Sequence, residues 1–365
     1  MTDPDPINVT FLRDVEHGGS ADQLATTADA LARFVSAATQ SVDIAIYDFR
    51  LSDPSATDAV VGAVRAAAAR GVDVRIGYDA GKPARADFAT FSVWEADPAP
   101  PGTAEWVTEH FSDTTVQTLP VVGGHQLMHS KYIVRDAGTE AACVWTGSTN
   151  FTDAAWSRQE NNIITIADEQ LASAYRTDFD ELWAGGRISG TAQGSQGTDT
   201  VGGGTLGWDF CPGDGFAVNA ALAERITEAT QRLIVASMVL TSPQVLAALG
   251  EAIDRGVAVT GIYDGGQMDP IVQRWTTNPR DAQLLATWEK VSQHLAAKPS
   301  APYTTTGPHD FMHLKVMVSD ELLTTGSDNF STNAEHNAEN QIHLTDPTTV
   351  NAYVDYLTTI IDTYR

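Results

Sequence analysis

The sequence predicts an α/β protein of two similar α/β/α lobes with mainly parallel or mixed sheets. Three observations lead there. The chain repeats itself, each repeat alternates strands with helices, and a glycine-rich stretch separates the two copies. A chain of 365 residues is long enough for two domains at roughly 150 residues each. Hydrophobic residues make up 42% and charged residues 19%, a balance that supports a packed core and not a disordered chain.

The repeat is read element by element. Residues 38–50 (ATQSVDIAIYDFR) and 229–240 (ATQRLIVASMVL) each pass from a helical stretch through Thr-Gln into a short apolar strand. Alanine-rich segments of helical period follow, at 57–70 and 243–255, and end at Gly71 and Gly256. Glycine stops a helix there because it reaches the left-handed region at little cost. Strands at 72–79 and 257–264 come next and close on Tyr78-Asp79 and Tyr263-Asp264. Strand, helix, strand at this spacing argues βαβ units with helices over both sheet faces. Residues 82–124, with Lys82, Trp94 and Trp106, and residues 267–308, with Trp275 and Trp288, do not align with each other. They are read as pocket walls, or as helix-and-loop packing with the tryptophans in the core. Helices are expected at 169–183 and 348–364. Residues 187–207 (RISGTAQGSQGTDTVGGGTLG) read as a flexible linker between an N-terminal lobe, 1–186, and a C-terminal lobe, 208–365.

The chemistry lies in a second repeated pattern. His129-Ser130-Lys131 is followed by Asp136, and His313-Leu314-Lys315 by Asp320. Each begins an apolar run that reads as a strand, whose period of two puts histidine and lysine on one face. Downstream stand Gly147-Ser148-Thr149-Asn150-Phe151 and Gly326-Ser327-Asp328-Asn329-Phe330, then Glu160-Asn161 and Glu339-Asn340. Glycine to glutamate is 13 residues in both copies (147 to 160, 326 to 339).

These residue types suit a phosphodiester. Its negative charge repels water, and lysine and asparagine donors can hold its nonbridging oxygens. Neutral imidazole is a nucleophile near pH 7, and imidazolium can protonate a departing oxygen. One ring cannot do both at once, but two rings facing across a phosphate can. A carboxylate on the far ring nitrogen fixes tautomer and orientation, and Glu160 and Glu339 are the candidates for it. Phe151 and Phe330 read as packing residues. His125 and His309, each four residues before a motif histidine, read as loop residues or as part of the cleft mouth. Tyr47, Tyr78 and Tyr263 end strands near the expected rim. His17, His110, His294, His336 and His343 carry no pattern.

The duplicated His-x-Lys-x4-Asp and Gly-Ser-x-Asn pattern resembles the phospholipase D superfamily over most of residues 38–345. The resemblance implies a pseudo-twofold pair of lobes and a metal-independent reaction through a covalent phosphohistidine, with no cofactor. On the matching positions, His129 would be the nucleophile and His313 the general acid. Lys131, Lys315, Asn150 and Asn329 would bind the phosphate, with Ser148 and Ser327 beside it. Glu160 and Glu339 would orient the histidines, and Asp136 and Asp320 would be structural. The expected activity is a phospholipase D-like phosphodiesterase that hydrolyses or transfers. A nuclease or small nucleotide phosphodiesterase, or a non-catalytic phosphate-binding module, are the alternatives.

Charge narrows the partners. There are 22 basic and 47 acidic residues, a net charge of -25. Such a field disfavours extended nucleic acid and anionic bilayers. A lipid-like or small soluble diester fits better, with peripheral lipid contact and a monomer sufficient for chemistry. Cys143 reads as a buried thiol and Cys211 as an exposed one open to a bridge between lobes. No window is apolar enough to span a membrane. The N-terminus lacks the features of a secretory signal, so the expected location is cytoplasmic, or secreted if a signal has been removed.

Overall fold

In the computed structural model, which describes residues 5–81, 86–87, 92–93, 102–304 and 306–365, the repeat folds into two matching sheets. Lys82 and Trp94 lie outside the described residues. The first sheet holds β1 (Ile7–Leu12), β2 (Ser41–Ile46), β3 (Asp73–Asp79), β4 (Gln117–Val121), β5 (Lys131–Arg135), β6 (Cys143–Gly147) and β7 (Asn161–Ile166). The second holds β8 (Gly197–Val201), β9 (Gly204–Cys211), β10 (Arg232–Ser237), β11 (Ala258–Asp264), β12 (Leu295–Lys298), β13 (Lys315–Ser319), β14 (Leu322–Gly326) and β15 (Glu339–Leu344). The spatial orders are β1-β7-β6-β5-β2-β3-β4 and β8-β9-β15-β14-β13-β10-β11-β12. Without β8 they are the same path. Both sheets are mixed: β2, β3 and β4 run parallel, as do β10, β11 and β12, and the other pairs are antiparallel.

The helices follow the same duplication. They are α1 (Gln23–Ser36), α2 (Pro54–Ala69), α3 (Thr103–Phe111), α4 (Asp153–Ser157), α5 (Glu169–Gly185), α6 (Gly215–Glu228), α7 (Pro243–Asp254), α8 (Gly265–Thr277), α9 (Ala282–Ser292) and α10 (Pro347–Thr363). Matching helices start by matching devices. Asp53 caps α2 and Ser242 caps α7, each just before a proline whose fixed φ suits the first turn. Asp168 and Asp346 cap α5 and α10, the second again before a proline.

Three apolar clusters order the layers. One packs α1 to α4 on the outer face of the first sheet, and another packs α6 to α9 on the outer face of the second. The third joins the inner faces of both sheets around α5 and α10. These two inner helices reach across. Tyr175 of α5 accepts a hydrogen bond from Asn340 of β15 at 3.0 Å, and Tyr353 of α10 accepts one from Asn162 of β7 at 2.7 Å.

Asp136 and Asp320 sit in matching turns at φ 51° and 50°. Asp136 accepts from the backbone N–H groups of Thr39, Gln40 and Ser41, and Asp320 from those of Thr230, Gln231 and Arg232. Each carboxylate ties the end of the His-x-Lys strand to the start of the central strand beside it. Those bonds favour the charged form enough to outweigh burial, so both carboxyls are held below the usual range.

The expected linker is corrected. Gly197–Val201 and Gly204–Cys211 pair as a hairpin, and β9 completes the second sheet as β1 completes the first. Gly202 turns the chain at φ +58°, and the Trp208 ring lies so close to Gly197 that a Cβ there would stand 2.3 Å from it. Before the hairpin, Ile188 and Ala192 are buried in the central core. Cys211 is also corrected: it is a buried free thiol, like Cys143. Trp275 and Trp288 are core residues of the second lobe, and Trp106 packs on Phe49. No helix among the described residues is long and apolar enough to cross a membrane.

Candidate active site

Both histidines precede a strand of their own lobe and are pinned by the other lobe. His129 N–H donates to the Ala338 carbonyl at 2.9 Å, and Ala338 N–H to the Leu127 carbonyl at 2.9 Å. Across the pseudo-dyad, His313 N–H donates to the Glu160 carbonyl at 3.0 Å, and Glu160 N–H to the Phe311 carbonyl at 3.1 Å. The repeated Tyr-Asp dipeptides add a second tie. Asp79 accepts the N–H of Met128 at 2.6 Å, and Asp264 that of Met312 at 2.7 Å. Each motif histidine therefore follows a residue held by a strand-ending carboxylate. Both rings line one cavity of about 270 Å³ between the lobes.

The ring partners differ. Glu339 accepts from His129 Nδ1 at 2.8 and 2.9 Å, leaving Nε2 for the cavity. His313 Nδ1 donates instead to Asn161 Oδ1 at 3.0 Å. The amide of Asn161 is held in that sense, because its Nδ2 donates to the Ala155 carbonyl and to Gln159 Oε1. Glu160, expected to orient a histidine, is corrected. Its carboxylate accepts from Tyr356 and Tyr364 at 2.7 Å and from the Asp14 N–H at 3.3 Å, and it touches neither histidine. The cross-lobe bridges give the reason: Met128 pairs with Ala338 and Met312 with Glu160. Glu160 thus corresponds to Ala338, and Asn161 to Glu339.

Ser148 and Ser327 are corrected as well. Both are fully buried, and neither lines the cavity. Ser148 Oγ donates to Asn161 Oδ1, and Ser327 Oγ to Glu339 Oε2, both at 2.7 Å. Each hydroxyl also accepts a backbone N–H, from Asn162 and Asn340. With both functions used inside the protein, they fix the histidines' partners and not a phosphate.

Lys131 and Lys315 are each 1% exposed, and each Nζ donates to the carbonyl of its own histidine at 2.6 Å. That leaves two donor protons on each ammonium. Burial pushes Lys131 down to about 7 and Lys315 well below its ordinary value, the second also because Lys131 is near. Burial likewise pushes His129 down to about 4, against the pull of Glu339. His313 falls well below the usual range from burial and from the charges of Lys315 and Lys131. Burial raises the Glu339 carboxyl, but His129, Lys131 and the Ser327 hydroxyl together hold it below its usual value. At neutral pH both rings are neutral and Glu339 is ionised.

Asn150 and Asn329 both stand on the lining, and neither Oδ1 has a protein partner. Tyr47 is on the lining and makes an edge contact with His129, at 4.9 Å between ring centres. Tyr78 and Tyr263 are not on it, nor is His125. Phe151 and Phe330 are buried in the outer cores. Sequence reasoning missed Asn161 and much of the rim, although it offered His309 for the cleft mouth, where it stands. On the second-lobe side, Tyr303, His309 and Phe311 stack at 11° and 22° between successive rings. On the first-lobe side, Arg50 makes two 2.8 Å bonds to Asp48. Arg50 is the single arginine among the described lining residues, and its charge is matched. One signal could have found Asn161. Aligning the strands on their apolar residues pairs Ile164 with Ile342 and Ile166 with Leu344, and that register sets Asn161 opposite Glu339.

Comparison with known proteins agrees with this fold. The family model described as cardiolipin synthase, PLD-like domain, matches residues 31–183 and 222–361. Phosphatidylserine synthase from Haemophilus influenzae superposes with a TM-score of 0.65 at 13% identity, over 98% of this chain and 86% of that one. Polyphosphate kinase from Porphyromonas gingivalis gives 0.58 at 14% identity, over 96% of this chain and 50% of that one. At such identities the likeness is one of fold. No curated protein matches the chain in sequence.

Proposed function

Because the chain belongs to the phospholipase D-like family, with its two-lobed mixed α/β fold, we propose that it cleaves or transfers a phosphodiester through a covalent phosphohistidine on His129. One observation carries the reading: two imidazoles from different lobes line one cavity, each with Nδ1 engaged and Nε2 left for a ligand. In the first step His129 Nε2 attacks phosphorus and the bond to the leaving oxygen breaks. In the second, water or an alcohol attacks the phosphohistidine and the P–N bond breaks. His313, on the opposite side, exchanges a proton with the oxygen that leaves or enters. Glu339 faces the Nδ1–H of the phosphorylated ring and stabilises its positive charge. Asn150, Asn329 and the buried charges of Lys131 and Lys315 stabilise the oxygens on phosphorus.

The substrate is a compact diester, lipid-like or soluble. A cavity of about 270 Å³ whose one arginine among the described lining residues is neutralised by Asp48 suits a headgroup-sized ligand. A nucleic-acid strand needs a row of unmatched cations. The test is a panel of phosphatidylcholine, single-stranded DNA and bis(p-nitrophenyl) phosphate, with the reaction quenched without acid and the protein analysed by mass spectrometry. The phosphoryl group should sit on His129, and His129→Ala should reduce turnover by about 10^4-fold or more. His313→Ala should slow turnover by about 100-fold or more. A His129→Ala protein at full rate would refute the reading. DNA cleaved without phosphatidylcholine turnover would change the substrate and leave the mechanism.

A further inference from the structure

We propose that the bond this site breaks has an acidic leaving oxygen, in biological form a phosphoanhydride, and that Asn161 sets this preference. The proposal rests on the phosphohistidine reading above and adds the class of leaving group.

The argument is one of proton placement. An alkyl diester loses a strongly basic alkoxide, which must be protonated as its P–O bond breaks. The cycle must then begin with His313 as imidazolium. An imidazolium is favoured by a carboxylate on Nδ1 and disfavoured by burial and nearby cations. His129 has that carboxylate, Glu339. His313 has an amide, Asn161, and the weak pull of the Ser148 backbone, and the titratable groups that face it are Lys315, Lys131 and His129. None is an anion. The nearest glutamate in sequence, Glu160, has its carboxylate turned to Tyr356, Tyr364 and the Asp14 backbone.

The exchange of carboxylate for amide does not spoil the ring's orientation. Asn161 Nδ2 is committed to the Ala155 carbonyl and Gln159, so Oδ1 faces His313 and the Nδ1–H tautomer is kept. Nε2 then carries a lone pair. Such a ring is poised to take a proton and poorly able to give one. With a phosphoanhydride, His129 Nε2 forms a bond to phosphorus and the P–O bond breaks. The phosphate leaving group departs with the electron pair and needs no proton. Next, His313 Nε2 takes the proton of the incoming hydroxyl, whose oxygen bonds to phosphorus. The P–N bond breaks, its pair returns to His129, and His313 passes its proton to solvent. Positive charge is thus needed on His129, beside Glu339, at the intermediate, and nowhere on His313 at the start.

The experiment uses the unmodified protein and four probes that share one retained group: methyl 4-nitrophenyl phosphate, methyl phenyl phosphate, dimethyl phosphate and P1,P2-dimethyl pyrophosphate. Without a proton from His313, kcat/KM should fall at least about 100-fold from the 4-nitrophenyl to the phenyl ester. The pyrophosphate should turn over and the dimethyl ester should not. Asn161→Asp should flatten the series and raise the phenyl ester rate about tenfold or more. A native series flat within about tenfold, with phosphohistidine formed from each ester, would overturn the proposal and leave the phosphohistidine reading intact. Absence of phosphohistidine with every probe would remove both. The native series decides the matter even if Asn161→Asp fails to fold. A folded Asn161→Asp protein with an unchanged slope would also overturn it.

Discussion

The two lobes follow the same strand path, cap the same helices and pin the same turns, yet they hold their histidines differently. His129 is backed by a carboxylate, Glu339, and His313 by an amide, Asn161. Around them the equivalences are close. Ser148 and Ser327 play one part, Asn162 and Asn340 another, and Asp79 and Asp264 a third. A duplicated site needs duplicated scaffolding, but on the proposed mechanism its halves do different chemistry. The half that would bear a covalent, charged intermediate keeps the anion. The half that only exchanges a proton can lose it. Glu160, one position earlier than its apparent counterpart, has become a clasp for the C-terminal helix.

The comparison can be broken most directly at the two glutamates. Glu339→Gln removes the charge behind His129 and should lower kcat/KM by about 100-fold. Glu160→Gln should leave kcat/KM within about twofold and lower unfolding stability by about 1–2 kcal/mol, measured in urea, as its tyrosine bonds weaken. Equal kinetic losses would mean that the lobes are functionally symmetric. A smaller effect concerns pH. His129 is pushed down to about 4 and Lys131 to about 7, so the nucleophile is free above the first value and the ammonium is kept below the second. The pH profile of kcat/KM should therefore be bell-shaped between them. At pH 5 it should retain most of its activity, where an ordinary histidine would be over about 90% protonated. The smallest effect separates Asp136, which is fully buried, from the partly exposed Asp320. Asp136→Ala should cost about 3 kcal/mol and Asp320→Ala about 1 kcal/mol, because the same bonds matter more where water cannot replace them. As pH falls through the depressed carboxyl value of Asp136, its contribution should be lost, bringing the wild type toward the variant.

Much of this was legible from period and repetition. The helices after residue 54 and residue 243 and the strands ending in Tyr-Asp announced themselves by apolar spacing and stopping glycines. The His-x-Lys motifs led to the shared cavity, because both motif histidines line it. The misreadings have separate causes. Equal spacing from Gly147 to Glu160 and from Gly326 to Glu339 was taken as structural equivalence, but β7 and β15 are set by their buried apolar residues, and these shift the register by one. Composition misled at residues 197–211, where threonines and glycines looked like coil. Two glycines between two short runs also allow a tight hairpin turn, and that is what formed. Ser148 and Ser327 carry no sequence signal for which way a hydroxyl points. The rim rings Tyr303, His309 and Phe311 meet only through a loop path that no periodicity encodes.

The exchanged tyrosines have a consequence for how ligands arrive. Pulling the lobes apart would strand the Tyr175 and Tyr353 hydroxyls and the amides of Asn162 and Asn340 in a dry seam. A clamshell motion is therefore costly, and traffic through the site must be governed by side chains at the mouth, Tyr303 foremost among them. The same cross-bracing means that neither half, expressed by itself, would have its inner helix covered. The two produced as separate polypeptides should recover a working enzyme only by finding each other.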